Sequence, residues 1–497
     1  MSHIAPFVSH PQPLFRAQQV KKGEVDAAKL AGFEMYSLMQ SAGEAVFNLV
    51  IDQYGREITL LILCGGGNNG GDGYIVGQRA IQSGINVTLW ALVSPDKLTD
   101  DAKRAYHDFV LAGGQVKPVK LEQIGHYDVV VDALLGTGLS GTVRDEMRIV
   151  IEKVNDAHVA TVSVDLPSGL CSDTGSVLGC CIQAAHTMTF IGIKQGLVTG
   201  QARAFVGDLH FSGLAVHQHF ERIQNTKVWW DSAHLIQALR QRSPCAHKGS
   251  QGKALLVGGD YGLGGAVLIA AHACLKSGAG LTACLTQEKN MIAGLVATPE
   301  VMFSHWSEDN CQQRLAWCDA FALGPGLGRE SHSKQLFDFF SSTTLPKVLD
   351  ADALHFLAIQ PNYDDQRIIT PHPGEAAKLL DCTVTEIEQN RYRSVVKLQQ
   401  CYGGVVVLKG AGTLVCSEHG TYVCSAGNAG MATGGMGDAL TGVIVSLLAQ
   451  GRSLEMAARK GVMLHSCAAD YNVATYGLIG LCASDVVNSI RHVIHHT

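Results

Sequence analysis

LLILCGGGNNGGDG, residues 60–73, decides the fold. An apolar run too short for a helix ends abruptly in glycines, and a helical apolar pattern takes over at residues 73–83. Strand, glycine loop and helix in that order present backbone N–H groups and a helix N-terminus to an anion. Asn68, Asn69 and Asp72 add polar groups that a plain turn does not need. Working outward, β-branched apolar runs at residues 86–93, 127–135, 158–165 and 186–194 read as strands, with helical spacing at 100–111 and 143–154 between them. Short buried-type strands separated by helices predict a parallel sheet covered on both faces.

Two further strand ends carry polar clusters, VVVDALLGTGLSGT (129–142) and SVDLPSGL (163–170). In an open parallel sheet the ligand lies beyond the carboxyl ends of the strands, so Asn69, Asp132, Asp165 and Ser168 are expected to converge. Lys194, in FIGIKQG, ends another apolar run. An aspartate after a strand is ordinarily a helix cap, and a lysine there is ordinarily solvated. Three polar strand ends flanked by glycine shift the reading toward a site.

From about residue 217 to 248 the chain turns polar and rich in His, Gln and Arg, which places a domain junction near residues 218–230. The second half restarts the pattern with a strand at 253–257 and a helix at 265–277. Further strands are expected at 320–323, 347–349, 405–408, 414–416 and 421–424, the last two joined by SEHG as a hairpin. In GNAGMATGGMGDALTG (427–442) a glycine loop ends at Gly437, and Asp438 is expected to open a helix with Ala439, Leu440, Val443, Ile444, Leu447 and Leu448 on one face. Such an aspartate would otherwise be a cap. The loop before it suits an anion hole where charge develops on a transferred phosphoryl group, with Asp438 beside it as a base toward a hydroxyl. VVVLKGAGT (405–413) sets Lys409 just after a strand, suited to a nucleotide's phosphates, and TPHPGE (370–375) fixes His372 between two prolines.

Composition narrows the function class. The 55 glycines among 497 residues exceed the usual level of about 7% and fall in clusters rather than a period, which excludes collagen and disorder. With 38 basic and 44 acidic groups the net charge is −6, without long runs of either sign, so nothing points to nucleic acid or an anionic membrane. No segment reaches the roughly 20 apolar residues of a membrane span, and prolines interrupt the first residues where a signal peptide would be apolar. The 15 cysteines are scattered without ligand spacing, as in a reduced, cytoplasmic chain.

GGGNNGGDG, DALLGTGLSGT, VDLPSG and FIGIKQG together resemble the NAD(P)HX epimerase, or YjeF N-terminal, domain over about residues 15–215. The resemblance implies that Asn68, Asn69, Gly70, Gly71, Asp72, Gly136, Thr137, Gly138, Leu139, Ser140, Gly141, Thr142 and Asp165 hold a hydrated dinucleotide. It also implies that Asn69, Asp132 and Ser168 give oxygens to K+. Such a substrate carries a hydroxyl at C6 beside ring nitrogen N1, whose lone pair assists its loss, and water can return on either face. Inversion therefore needs a positioned acid and base and no redox cofactor. Asp165 is the expected base, and Lys194 the expected acid or electrostatic partner.

HKGSQGKALLVGGD, ALGPGLG, LDADAL, TPHPGEAAKLL, VLKGAGT and GNAGMATGGMGDALTG resemble the NAD(P)HX dehydratase domain, a ribokinase-like family, over about residues 230–495. The resemblance implies nucleotide binding by Lys409, Gly410, Ala411, Gly412, Thr413 and Gly437. It assigns Ala266, Gly326, His372 and Asp438 to the hydrated dinucleotide. The glycine contact stays open among Gly324, Gly326 and Gly328, and DYGLGGA leaves the register around Ala266 open. The implied fold class is α/β, a Rossmann-like three-layer domain at 1–225 and a ribokinase-like α/β domain at 226–497. The implied reaction converts NADHX and NADPHX to the dihydronicotinamides, with epimerisation of R and S forms and dehydration of the S form. ADP is the co-substrate implied by the domain fusion, and Mg2+ is expected with its phosphates. A cytoplasmic homo-oligomer acting on small molecules is expected. Two rivals share some of these features. A vitamin-precursor kinase would use the same aspartate and anion hole but has no use for the first domain. A binding module is disfavoured by the retained Asn69, Asp132, Asp165, Ser168 and Lys194.

Overall fold

The computed structural model describes residues 11–98 and 100–496. The chain forms two compact units, Pro13–Val228 and a second from Trp229 onward.

In the first unit six parallel strands stand in the order Asn86–Ala91, Thr59–Cys64, Val129–Ala133, Ala160–Val164, His186–Phe190, Asp208–Ser212. The chain leaves Thr59–Cys64 toward one neighbour and later enters the other, so the order reverses between Thr59–Cys64 and Val129–Ala133. A crevice opens at such a reversal because the two connections diverge to opposite faces. Gly65, directly after the first of these strands, shows how close the loops come: a Cβ there would meet the Leu134 carbonyl oxygen at 1.9 Å. The apolar core lies on both faces, as the strand pattern predicts, with Leu60, Ile62, Val129 and Val131 in one cluster and Leu61, Leu63, Val130 and Leu134 in another.

Two expectations need correction. The helix after the glycine loop begins at Asn68, not residue 73, and runs Asn68–Gln82. Glycine costs a helix about 1 kcal/mol relative to alanine, which argues for a longer loop. Here the first turn presses on backbone that leaves no room for side chains, a Cβ on Gly70 meeting the Gly65 oxygen at 2.1 Å. The apolar run at 186–194 is not one strand: it breaks after Phe190, where Ile191 takes a left-handed φ of 64°, and resumes as Ile193–Lys194. Helices Ala17–Ala31 and Met35–Tyr54 precede the sheet. The first presses Gly23 onto Phe220 of helix His217–Ile223, where a Cβ would lie 2.6 Å from the ring.

In the second unit seven parallel strands run in the order Met302–His305, Leu281–Thr286, Lys253–Val257, Ala320–Leu323, Lys347–Leu349, Arg367–Ile369, Val405–Leu408. The expected hairpin Leu414–Cys416 and Thr421–Cys424 continues the sheet antiparallel. The helix bearing Asp438 spans Met436–Ala449, so Asp438 lies in its first turn rather than opening it. Val443, Ile444 and Leu447 on that helix are fully buried. Gly442 lets it approach helix Gly264–Lys276 closely, since a Cβ there would meet the Ala270 oxygen at 2.1 Å. No helix among the described residues is long and apolar enough to cross a membrane.

Two candidate active sites

The crevice of the first unit is a cavity of about 680 Å³ lined by the predicted loop residues Asn68, Asn69, Asp72, Gly136–Ser140 and Thr142, together with Asp165 and Lys194. Gly136 lies against Asn69, with a Cβ position 3.2 Å from the asparagine Cβ. Asp165 follows strand Ala160–Val164 in a left-handed conformation, φ 67°. That region costs a non-glycine residue on the order of 1 kcal/mol and recurs at functional sites. Its Oδ1 accepts from Lys194 Nζ, from Thr189 Oγ1 at 3.1 Å and from the Phe190 amide at 3.3 Å, and Oδ2 has no hydrogen-bond partner among the described residues. Lys194 Nζ also donates to Thr189 Oγ1 at 3.2 Å and the Phe190 oxygen at 3.0 Å. An ammonium has three N–H donors, and these three acceptors use them all. These contacts set Lys194 beside Asp165, as its expected role of electrostatic partner requires.

Asp132 is completely buried and is paired with no basic side chain among the described residues. Its Oδ1 accepts from Ser168 Oγ at 2.5 Å, and its Oδ2 from Ser163 Oγ at 2.9 Å and the Ser168 amide at 2.8 Å. Burial raises its pKa, and the Ser168 and Ser163 hydrogen bonds pull it back. Ser168 Oγ in turn accepts from the Leu135 amide at 2.8 Å, tying the two strand ends together. Nearby, the buried Asn69 amide nitrogen has no hydrogen-bond partner among the described residues, a rare state for a buried polar group. The Asp132 carboxyl, the Ser168 hydroxyl and the Asn69 amide oxygen are hard oxygen donors of the kind a monovalent cation takes, whereas the unpartnered Asn69 nitrogen is an N–H donor and is not one of them.

In the second unit four parallel strands deliver the site from their carboxyl ends. Lys347–Leu349 leads to Asp350, Val405–Leu408 to Lys409, Arg367–Ile369 to the His372 loop, and Ala320–Leu323 to Gly324–Gly328. Lys409 Nζ donates to Asp350 Oδ1 at 2.8 Å and stands 3.7 Å from Glu375 Oε2. Thr441, one turn beyond Asp438 on the same helix, donates to Asp350 Oδ2 at 2.7 Å. Gly437 sits against the pair, with a Cβ position 3.2 Å from Lys409 Nζ. Burial, then Asp350, pushes the Asp438 carboxyl up to about 7, against the pull of Lys409. Burial opposes the charge on Lys409, but Asp350 and Glu375 outweigh it and hold its pKa above the usual value.

The loop Gly410–Thr413 rests on buried Arg391, which donates to the Leu408 and Lys409 oxygens at 3.2 and 3.1 Å. Gly326 adjoins Ala266, with a Cβ position 3.2 Å from the alanine Cβ. Among the three candidate glycines it alone is partly exposed, whereas Gly324 and Gly328 are buried. His372 caps helix Pro373–Leu380, its Nδ1 accepting from the Gly374 amide at 3.0 Å while the imidazole stays 56% exposed. Burial and Lys409 lower its pKa, which favours the neutral ring.

Comparison with known proteins follows the same division. Residues 35–196 match the family model for the YjeF-related protein N-terminus, and residues 254–492 match that for NAD(P)H-hydrate dehydratase. The bifunctional NAD(P)H-hydrate repair enzyme Nnr of Vibrio cholerae is 51% identical over all of both chains. The chain belongs to the bifunctional NAD(P)H-hydrate repair enzyme family. Escherichia coli Nnr is 41% identical over 98% of this chain and 95% of its own. The crystal structure of a ribokinase-like superfamily protein from Enterococcus faecalis is similar over 55% of this chain and 97% of its own, at 25% identity and a TM-score of 0.51.

As a member of the repair-enzyme family the chain is an enzyme with an epimerase and a dehydratase domain. Its geometry adds residues that the sequence reading missed. Glu24, on helix Ala17–Ala31, lines the first cavity. Asp350 and Glu375 hold Lys409, and burial pushes the Glu375 carboxyl up to about 7. Fully buried His465 is driven down to about 4, first by burial and then by Lys409, and its Nε2 has no partner among the described residues. Of these Asp350 and Glu375 stood in motifs of the sequence, as the first acid of LDADAL and the last residue of TPHPGE, while Glu24 and His465 had no such signal.

Proposed function

We propose that residues 1–225 epimerise the R and S hydrates of NADH and NADPH, and that residues 226–497 dehydrate the S form at the expense of ADP, giving AMP and phosphate. The observation that carries this reading is a repeated arrangement. Each unit sets a lysine–aspartate pair beside further carboxyl groups at the carboxyl ends of its own parallel sheet, Lys194–Asp165 in one and Lys409–Asp350 in the other.

In the first site the free N–H groups at the start of helix Asn68–Gln82 and the loop Gly136–Thr142 receive the dinucleotide's phosphates, and Asp165 Oδ2 accepts a proton from water. Asn69, Asp132 and Ser168 would hold potassium, which would compensate the buried charge of Asp132. In the second site Asp438, its carboxyl near neutrality, takes the C6 hydroxyl proton while the oxygen receives a phosphoryl group. Phosphate then leaves as the N1 lone pair moves toward C6, and loss of a C5 proton restores the dihydronicotinamide. Lys409 to Thr413 and Gly437 face the nucleotide; Ala266, Gly326 and His372 face the hydrated ring. No group of three metal-binding His, Cys, Asp or Glu side chains occurs among the described residues. Magnesium would accordingly draw most of its oxygens from phosphate and water, as it usually does. The setting is a cytoplasmic homo-oligomer acting on small molecules.

Two variants test the assignment of separate sites. Asp438→Asn should lose dehydration of the S hydrate and keep epimerisation, read by chiral chromatography of the two hydrates. Asp165→Asn should do the reverse. Loss of both activities from either variant with its fold intact contradicts the assignment.

A further inference from the structure

Epimerisation at C6 needs an acid to carry off the hydroxyl as water and a base to take a proton from the water that returns. Asp165, held by the Lys194 ammonium with Oδ2 unpartnered among the described residues, supplies the base. Lys194 has no hydrogen left to give, because Asp165, Thr189 and the Phe190 oxygen take all three. The acid must come from elsewhere on the cavity wall.

Three carboxyl groups remain there, Glu24, Asp72 and Asp101, the last in the first turn of helix Asp100–Leu111. Glu24 projects from helix Ala17–Ala31, next to Gly23, whose contact with the Phe220 ring presses that helix against helix His217–Ile223. It makes no hydrogen bond or ion pair among the described residues. We propose that Glu24 is the general acid of the epimerase site, delivering its proton to the C6 hydroxyl while Asp165 serves as base from the sheet side of the cavity. This rests on reading the cavity as the epimerisation site. The Glu24 proton passes to the hydroxyl oxygen, the C6–O bond breaks with its electron pair leaving in water, and the N1 lone pair forms N1=C6. A second water adds to C6 from the other face, and Asp165 Oδ2 accepts its proton. The net movement is one proton from Glu24 to Asp165, which exchange with solvent water reverses.

The electrostatic setting agrees. Burial pushes Glu24 up to about 7, against Lys194 and Lys21, while Asp165 adds to the rise. A group with that value both gives and regains its proton at neutral pH. Asp72 is pushed well above its ordinary value by burial and by Asp165 and Glu24.

The test measures R-hydrate epimerisation against pH in the full chain for Glu24→Gln, Glu24→Asp, Asp72→Asn, Asp101→Asn and Asp165→Asn. Glu24→Gln should lower kcat on the order of 100-fold or more with little change in KM, and should abolish the fall in rate as pH rises through about 7. Glu24→Asp should restore part of the rate and the pH limb. S-hydrate dehydration by the same proteins should be unchanged. If Glu24→Gln keeps both rate and pH limb while Asp165→Asn is inactive, Glu24 is not the acid. If Asp72→Asn or Asp101→Asn alone removes the limb, that residue is the acid and the proposal is overturned. Full epimerase activity in Asp165→Asn as well would overturn the reading of the cavity, and the proposal with it.

Discussion

Replacing Asp438 by asparagine should exchange activity for stability, by an amount that depends on pH. In the folded chain the Asp438 carboxyl stands at about 7 instead of 3.8, raised by burial and by Asp350. Folding therefore retains a proton that the unfolded chain releases. Stability fully present below 3.8 is lost as pH rises toward 7, and the loss is complete above that value. One pKa unit corresponds to about 1.4 kcal/mol. Between about pH 6, one unit below the folded value, and about pH 8.5 the native protein should therefore lose up to about 1.4 kcal/mol that the neutral amide does not. Water in the cleft makes this an upper figure. For a unit of this size 1 kcal/mol moves Tm by about 2–4 °C, so the Tm advantage of Asp438→Asn should widen by up to about 3–6 °C across that interval. The assay is thermal unfolding of both full chains at the two pH values, following the transition that added ADP shifts. Glu375, also near 7, is present in both proteins and cancels. Dehydration by the variant should fall on the order of 100-fold or more. A Tm difference that stays constant with pH, or an asparagine variant less stable than the native protein at the higher pH, would refute the burial argument.

Epimerisation of the R hydrate should depend on a monovalent cation that fits between Asn69, Asp132 and Ser168. Asp132→Ala should weaken that dependence, and equal rates in potassium and in a bulky organic cation would leave the trio as turn and cap residues. Lys409→Met should leave Asp350 buried without its partner and cost about 3–5 kcal/mol in denaturant unfolding, besides weakening nucleotide binding by titration. Adding Asp350→Asn should recover most of the stability but not the nucleotide binding. A Lys409→Met protein as stable as the native one would show that the pair does not hold the site.

Glycine and strand periodicity carried most of the fold into the sequence. Val129–Ala133 and Val405–Leu408 are buried runs bounded by glycine loops, and their order along the chain suffices for a parallel sheet. Three-residue Arg367–Ile369 escaped notice because its arginine, fully buried, reads as a surface residue until the Tyr402 and Asn362 oxygens that satisfy it are seen. The site residues at or just beyond strand ends, Asp165, Lys194, Asp132 and Lys409, were legible for the same topological reason. Glu24 was not, and Glu375 stood only as the last residue of TPHPGE with no role read from it. Each lies in a helix whose spacing suits a solvated acid, and only tertiary burial gives either one a carboxyl near neutrality. Lys409 was legible as a residue but not in its pairing, since nothing local in the sequence links it to Asp350.

The most direct test of the two-site account is incubation of the purified chain with a mixture of R and S hydrates, ADP and magnesium in potassium buffer. Both epimers should be consumed as the absorbance of the dihydronicotinamide returns, with one inorganic phosphate released per dinucleotide restored and no phosphorylated product accumulating. Consumption of the S hydrate alone would contradict the epimerase assignment. A stable phosphorylated alcohol, or restoration that runs equally well without nucleotide, would contradict the dehydratase assignment.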